Sequence, residues 1–283
     1  MKKTRQDTKI GIVGGKGKMG SWFKDFFKNQ GFKVFVSDKD TELTNQELVK
    51  KADVVLFSVP IDKTEEIIES LVDFSRKDQL WLDVTSIKTP AVKAMLDSKA
   101  EVVGMHPMFA PSVESIKKQT IILCEARVGK WKDWISNLIL KNQGRIKKTT
   151  PDEHDKMMAV IQGLTHFSLI SLGYAFKELG VDIKESLEYT SPIYKIRLDM
   201  VGRLLNQDPN LYANIEILNP KTQKVMRSYI NSIMKLYMLV KDKDLESFTK
   251  YFEQSADFLG EFKKHATKES DFLIEKMVEK NGK

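Results

Sequence analysis

Ile10-Gly11-Ile12-Val13-Gly14-Gly15-Lys16-Gly17-Lys18-Met19-Gly20 decides the fold of this chain. Its apolar opening reads as a β-strand, and its glycines lead straight into a helix. Within it lies Gly15-x-Gly17-x-x-Gly20. In such a pattern the first glycine makes a tight turn. The second lets backbone approach a pyrophosphate, and the third lets helix pack on strand. Unpaired N–H groups at the helix start stabilise phosphate charge. Gly15, Lys16, Gly17, Lys18, Met19 and Gly20 are therefore the expected cofactor-binding turn.

The next apolar run, residues 33–37, ends at Asp38. A carboxylate at that spacing accepts hydrogen bonds from an adenosine ribose and repels a 2′-phosphate, which favours NAD over NADP. Lys39 beside it works against that preference. Further strand candidates cover residues 54–59, 80–84, 101–105, 120–124 and 144–148, with helical patterns between most of them. Thr44-x-x-Glu47 and Asp62-x-x-Glu65 read as capped helix starts. Strands alternating with helices imply an α/β, doubly wound, Rossmann-type and mainly parallel sheet.

Three strands of that sheet end in polar residues suited to a nicotinamide site: Ser58-Val59-Pro60, Asp83-Val84-Thr85-Ser86, and His106 in Gly104-Met105-His106-Pro107-Met108-Phe109. Parallel strands bring these loops to one edge, beside the glycine turn. His106 is the sole histidine in the first 150 residues. Pro107, which lacks a backbone donor, is expected to stop its strand. A neutral-pH acid/base group at such an edge is a catalytic candidate.

The pattern changes at Thr149. Thr150-Pro151-Asp152-Glu153 is a strong helix start, and no convincing strand follows it. The reading is a dinucleotide-binding domain over residues 1–149 and an all-helical domain over 150–283, with a substrate cleft between them. Met226, Ile230, Ile233, Tyr237 and Val240 form one apolar stripe. Leu245, Phe248, Phe252, Leu259, Phe262 and Ala266 form another. Either packs within the subunit or across a dimer.

Composition is that of an ordinary globular protein: 283 residues, 41% apolar, 30% charged, net charge +7. Basic residues are scattered among acids, without the clustered basic and aromatic pattern of a nucleic-acid binder. No apolar run is expected to reach the ~18–20 residues of a membrane span, and the polar, basic start of the sequence is not expected to act as a signal segment. The single cysteine, Cys124, excludes an internal disulfide and fits a cytoplasmic protein. Nothing asks for a metal.

Together these residues resemble the prephenate dehydrogenase family of tyrosine biosynthesis. The resemblance runs on through Glu153-His154-Asp155, Gln162-x-x-x-His166-Phe167, Ser191-Pro192-Ile193-Tyr194, Met200-Val201-Gly202-Arg203-Leu204 and Gln207-Asp208-Pro209. It is similar in particular to the dehydrogenase portion of bifunctional chorismate mutase/prephenate dehydrogenases. The chain opens at the nucleotide fold, so no mutase segment is expected before it and no regulatory domain after it. Two positions depart from the family pattern. Ala110 stands where glycine usually follows His-Pro-Met-Phe, and Lys195 where arginine is common after Pro-Ile-Tyr.

The resemblance implies NAD-dependent oxidative decarboxylation of prephenate to 4-hydroxyphenylpyruvate. It makes His106, with an ordinary pKa of about 6.5, the group that takes the hydroxyl proton. Ser86 would bond the same hydroxyl or orient His106. Prephenate carries two carboxylates, so cations are needed: Arg203 as principal anchor, then Lys88 and Lys195. Gln162 and His166, four apart on one helical face, would reach the substrate. His154, near a helix cap, reads as structural, and His265 carries no role. The rivals are arogenate dehydrogenase and a β-hydroxyacid dehydrogenase-like oxidoreductase. The partner expected in solution is a second copy of the chain.

Overall fold

A computed structural model describes residues 7–281. The sheet is built from β1 (Lys9–Val13), β2 (Lys33–Ser37), β3 (Val54–Phe57), β4 (Leu80–Asp83), β5 (Glu101–Pro107), β6 (Thr120–Arg127) and β7 (Arg145–Lys148), in the order β2-β1-β3-β4-β5-β6-β7. The first five run parallel, β5 and β6 are antiparallel, and β7 is parallel to β6. Helices cover both faces, so alternate residues of each strand are buried on opposite sides. Ile10, Ile12, Val54, Leu56, Leu80 and Leu82 pack with Phe23 and Phe27 of α1 (Lys18–Asn29) and with Ile135 of α5 (Trp134–Lys141). Val55, Phe57 and Trp81 pack with α2 (Asn45–Lys51), α3 (Ile61–Glu69) and α4 (Thr89–Leu96). The strand order reverses between β1 and β3, and crevices at such a reversal receive ligands.

Three local expectations change. β5 runs through His106 to Pro107 instead of stopping before the proline. The N–H of Met108 donates to Thr120 O (2.9 Å), which puts Pro107, opposite Ile121, at a non-hydrogen-bonded pair. Its nitrogen therefore faces the β4 side, where pairing has already ended at Asp83–Gly104, and the missing donor costs the ladder nothing. β6 runs on past Cys124 to Arg127, whose guanidinium bonds the carbonyls of Leu96, Ser98 and Ala100. Asp62 does not cap α3; Pro60 holds that position. Thr44 and Glu47 do form a capping box.

The chain divides into two compact units. The first holds the sheet through Ala159 together with Ala213–Lys221. The second holds Val160–Tyr212 and the residues from Thr222 onward. The first unit thus includes α6 (Pro151–Met158), capped by the Thr150 hydroxyl accepting from Glu153 N. Asn219 ties α6 down by donating to Asp155 O (2.8 Å), and Lys221 pairs with Asp152.

A π-helical segment, Ala159–Leu164, follows α6. The second unit continues with α7 (Thr165–Glu178), α8 (Ile183–Glu188) and α9 (Pro192–Leu205). After α10 (Pro209–Leu218), which crosses between the units in sequence, come α11 (Thr222–Lys241), α12 (Leu245–Leu259) and α13 (Phe262–Asn281). Here α7 packs on α9, and α11 on α12. The apolar stripes of α11 and α12 remain open: Ile233 is 46% exposed and Phe252 67%. The helical stretch Pro151–Glu178 is, by length and composition, an exception to the expectation that no apolar run reaches a membrane span. Its 28 residues include a window of mean hydropathy 1.3, long and apolar enough to cross a bilayer, and only 11% of that window is buried. Interspersed Gln162, Thr165, Ser168 and Ser171 hide the run from a search for unbroken apolar residues.

Candidate active site

The glycine turn occupies the reversal point of the sheet. Gly14, rather than Gly15, makes the tight turn. Its φ is +77°, and a Cβ there would lie 2.3 Å from Ser58 O. The loop after β3 therefore sits directly against the turn, with Val59 beside it. A Cβ on Gly15 would strike Val36 of β2, and one on Gly20 would lie 2.4 Å from Gly14 O. Gly17 is the N-cap of α1, and no side chain caps that helix. Its first turn carries no acidic residue, so its N–H groups and the helix dipole are open to an anion. Asp38 stands just beyond β2, where its Oδ2 accepts the N–H of Lys16 (2.9 Å). Lys16 Nζ donates to Asp40 O. A glycine cradle, a bare helix start and a carboxylate at the tip of the second strand fit a dinucleotide pyrophosphate and ribose.

The other strand ends converge on a buried polar cluster. His106 is 4% exposed on β5. Its Nδ1 lies 2.8 Å from Nε2 of His154 on α6, and Nδ1 of His154 lies 2.8 Å from Oδ1 of Asp155. Burial holds the His106 imidazole well below its usual range, and the charges of Lys88 and His154 push the same way. The ring is thereby kept neutral near pH 7. His154 is also lowered by burial, against the pull of Asp155. Burial works to raise Asp155, but bonds from His154, Lys88 and Thr89 outweigh it and hold the carboxyl low.

Lys88 departs from expectation. It is fully buried; its ammonium pairs with Asp83 and donates to Met105 O, so it does not face a ligand. Burial raises the Asp83 carboxyl, and Lys88 opposes that rise. The lysine stem runs past Gly104, where a Cβ would approach it to 3.1 Å and Val92 to 2.6 Å. Ser86 is half-buried in the same β4–α4 turn, where the Thr85 hydroxyl accepts from Ile87 N. Trp22 of α1 packs at a tilt against Phe109 and donates to Val113 O (2.7 Å), fastening the segment after β5 to the helix of the glycine turn. The sequence reading assigned His154 to structure and left Asp155 without a role. Their adjacency in Glu153-His154-Asp155 was the available signal.

In the second unit, Gln162 lies within the π-helical segment, so four-residue spacing no longer guarantees a shared face with His166. Its Oε1 is buried with no hydrogen-bond partner among the described residues. His166 packs edge-on to Tyr212, with centroids 4.7 Å apart. Burial raises the Tyr212 phenol, and the charge of Arg203 opposes it. Arg203 is exposed, and among the described residues no carboxylate forms an ion pair with it. Lys195, expected to hold substrate, instead pairs with Asp199 one turn on (2.6 Å to Oδ2), which neutralises its charge. Lys195 and Arg203 line one hollow of about 640 Å³ formed by α7, α8 and α9.

A backbone cradle for pyrophosphate and a neutral imidazole at the same sheet edge are the equipment of an NAD(P)-dependent oxidoreductase. Residues 26–148 match the family model for the prephenate dehydrogenase nucleotide-binding domain, and residues 150–254 match that for the prephenate dehydrogenase dimerization domain. The chain belongs to the prephenate dehydrogenase family. A probable arogenate/prephenate dehydrogenase of Methanocaldococcus jannaschii is 37% identical, over 97% of this chain and 67% of its own. The T-protein of Haemophilus influenzae is 31% identical, over 94% and 71%. Among solved structures, prephenate dehydrogenase from A. aeolicus, in complex with hydroxyphenyl propionate and NAD+, superposes with a TM-score of 0.72. It is 20% identical over 92% of this chain and 100% of its own. Synechocystis arogenate dehydrogenase follows at 0.68 and 16%, over 90% and 100%. At these identities the structures establish the fold.

Proposed function

We propose that this protein oxidises prephenate with NAD+ and releases 4-hydroxyphenylpyruvate and CO2. The observation that carries the reading is His106: a buried, neutral imidazole at the edge of the sheet that holds the glycine turn. When bound, NAD+ supplies the hydride acceptor. Gly15, Lys16, Gly17, Lys18, Met19 and Gly20 hold its pyrophosphate, Asp38 its ribose, and Ser58, Val59 and Pro60 line the turn. His106 takes the proton of the ring hydroxyl as the hydroxyl carbon becomes a carbonyl. As the ring carboxylate departs as CO2, the electron pair of the broken C–C bond aromatises the ring and returns to the carbonyl oxygen, which recovers the proton from His106 to give the phenol. Ser86 orients the hydroxyl. Arg203, with no carboxylate partner in the described chain, binds a substrate carboxylate, and Gln162 and His166 add polar contacts. Lys88 supports His106 from within the core. Lys195 tunes the hollow beside Arg203.

Arogenate is the second reading, favoured by the double name of the archaeal relative and by the Synechocystis enzyme. The two substrates differ by keto against amino on the side chain. Asp38 favours NAD, whereas Lys16 and Lys39 flank it with positive charge, and two yeast relatives are named as NADP enzymes. Initial rates of nicotinamide reduction, with prephenate and arogenate each against NAD+ and NADP+, test the assignment. The expected result is the highest kcat/KM for prephenate with NAD+. Turnover of neither substrate would overturn the reading. The open stripes of α11 and α12 and the dimerization-domain match support a homodimer. A lone buried thiol, Cys124, supports a reducing cytoplasm.

A further inference from the structure

His106 is the first member of a buried chain of three side chains, and the chain has a direction. Asp155 Oδ1 accepts the N–H of Lys88 (2.7 Å), and its Oδ2 accepts the N–H of Thr89 (2.9 Å). Both donors belong to the start of α4, which has no side-chain cap of its own. Fixed donors and a helix N-terminus keep that carboxylate ionised. An ionised carboxylate only accepts. Nδ1 of His154 must therefore carry a proton and donate it. In the neutral ring, Nε2 of His154 is then an acceptor, and Nδ1 of His106 must donate to it. The lone pair of His106 is left on Nε2. Nothing on His106 itself selects that tautomer; the bond made by its other nitrogen does.

We propose that His154 and Asp155 are positioning residues that fix His106 as the Nδ1–H tautomer and so present Nε2 as the proton-accepting atom. The inference rests on the reading of His106 as the base. In the step it serves, the substrate O–H bond breaks and its electron pair forms the C=O bond. Hydride leaves the same carbon for the nicotinamide, and an N–H bond forms at His106 Nε2. The new imidazolium keeps its Nδ1–H on neutral His154, whose own Nδ1–H is held by Asp155. No second proton transfer is required.

The charged and titratable groups facing this chain are few. Lys88, entering α4, is paired with Asp83 of β4. Cys124 on β6 stays a thiol, its pKa pushed by burial up to about 12. Asp152 and Glu153 on α6 are occupied by Lys156. A helix cap would explain Asp155 alone, but it would need neither imidazole.

The test compares His154→Leu with His154→Gln, alongside His106→Asn. Glutamine presents an amide oxygen that can accept from His106 Nδ1. His154→Leu should lower kcat by at least ~10²-fold with an unchanged Kd for NAD+, and should move the acid limb of the kcat/KM profile to lower pH. His154→Gln should recover at least tenfold of that loss, since it restores the acceptor. Nitrogen-15 spectra of histidine-labelled wild type should show His106 protonated at Nδ1 and bare at Nε2. A His154→Leu kcat within about twofold of wild type, or a proton on His106 Nε2 in the resting enzyme, overturns the proposal. Full activity in His106→Asn instead overturns the reading of His106 itself. The spectra need no variant, so a folding defect in His154→Leu leaves the proposal open to refutation.

Discussion

Lys88 and Arg203 are both cations, and the structure gives them opposite fates. Removing one partner of a buried pair leaves a bare charge in a low-dielectric interior, which costs about 3–5 kcal/mol. Lys88→Met keeps the stem but strands Asp83, so its urea midpoint should fall by that equivalent, and restoring neutrality with Asp83→Asn in the same chain should recover part of it. Arg203→Ala removes an exposed guanidinium and should leave stability nearly unchanged. It should raise KM for the carboxylate substrate at least tenfold, as loss of a charge-assisted contact does, while KM for NAD+ stays put; parallel rises in both would reduce Arg203 to a structural role. The imidazoles add a pH effect. Folding lowers the pKa of both His106 and His154, so the unfolded chain binds more protons once pH drops below about 6.5. Stability is therefore full above that value and is lost as pH falls through it. Urea melts between about pH 8 and about pH 5 should show this slope, and His106→Asn should flatten it. At this scale the sequence disclosed His106, whose strand-end position is a local property. It did not disclose His154 as its partner, 48 residues away, because that contact exists only once α6 lies against β5.

Elements were more legible than contacts. Five parallel strands, the change at Thr149 and the Thr44–Glu47 box all follow from patterns a few residues long. What escaped was set by neighbours. Pro107 stays in β5 because its nitrogen faces a side where β4 has ended, and that depends on the register of two other strands. The positive φ falls on Gly14, where a Cβ would also meet Ser58 O of the loop after β3, a contact between segments far apart in the sequence. The π-helical segment was not read from the sequence, and it removes the helical periodicity on which the expected shared face of Gln162 and His166 rested. Among the elements, α1 is the one on which nucleotide binding turns. A methyl at Gly20 would lie 2.4 Å from Gly14 O and 2.8 Å from Gly15 Cα, both backbone and unable to rotate away. Gly20→Ala should cost about 1–3 kcal/mol and weaken NAD+ binding by calorimetry at least tenfold. Binding at wild-type affinity would mean that the helix start does not hold the pyrophosphate.

The whole molecule poses a question that its single chain leaves open. The second unit is apolar on the outside: Ile230, Ile233, Tyr237 and Phe252 are each more than 40% exposed, and the stretch Pro151–Glu178, which begins in the first unit and continues into the second, has the length and hydropathy of a membrane span. Exposed apolar surface on this scale is a binding face or an aggregation hazard. A bilayer fits poorly, because α11 and α12 place lysines between their apolar positions, among them Lys224, Lys235 and Lys250, and each charge at a bilayer centre costs at least ~2.5 kcal/mol. A second copy fits, because such helices bury stripes in pairs and the dimerization-domain match spans residues 150–254. Sedimentation velocity in detergent-free buffer should give a dimer, recovered entirely in the high-speed supernatant. Ile233→Asp, an exposed position in the free chain, should shift the protein to monomer with its helical circular dichroism retained. A monomeric wild type, or recovery in the membrane pellet, would remove the second copy as the partner of these helices.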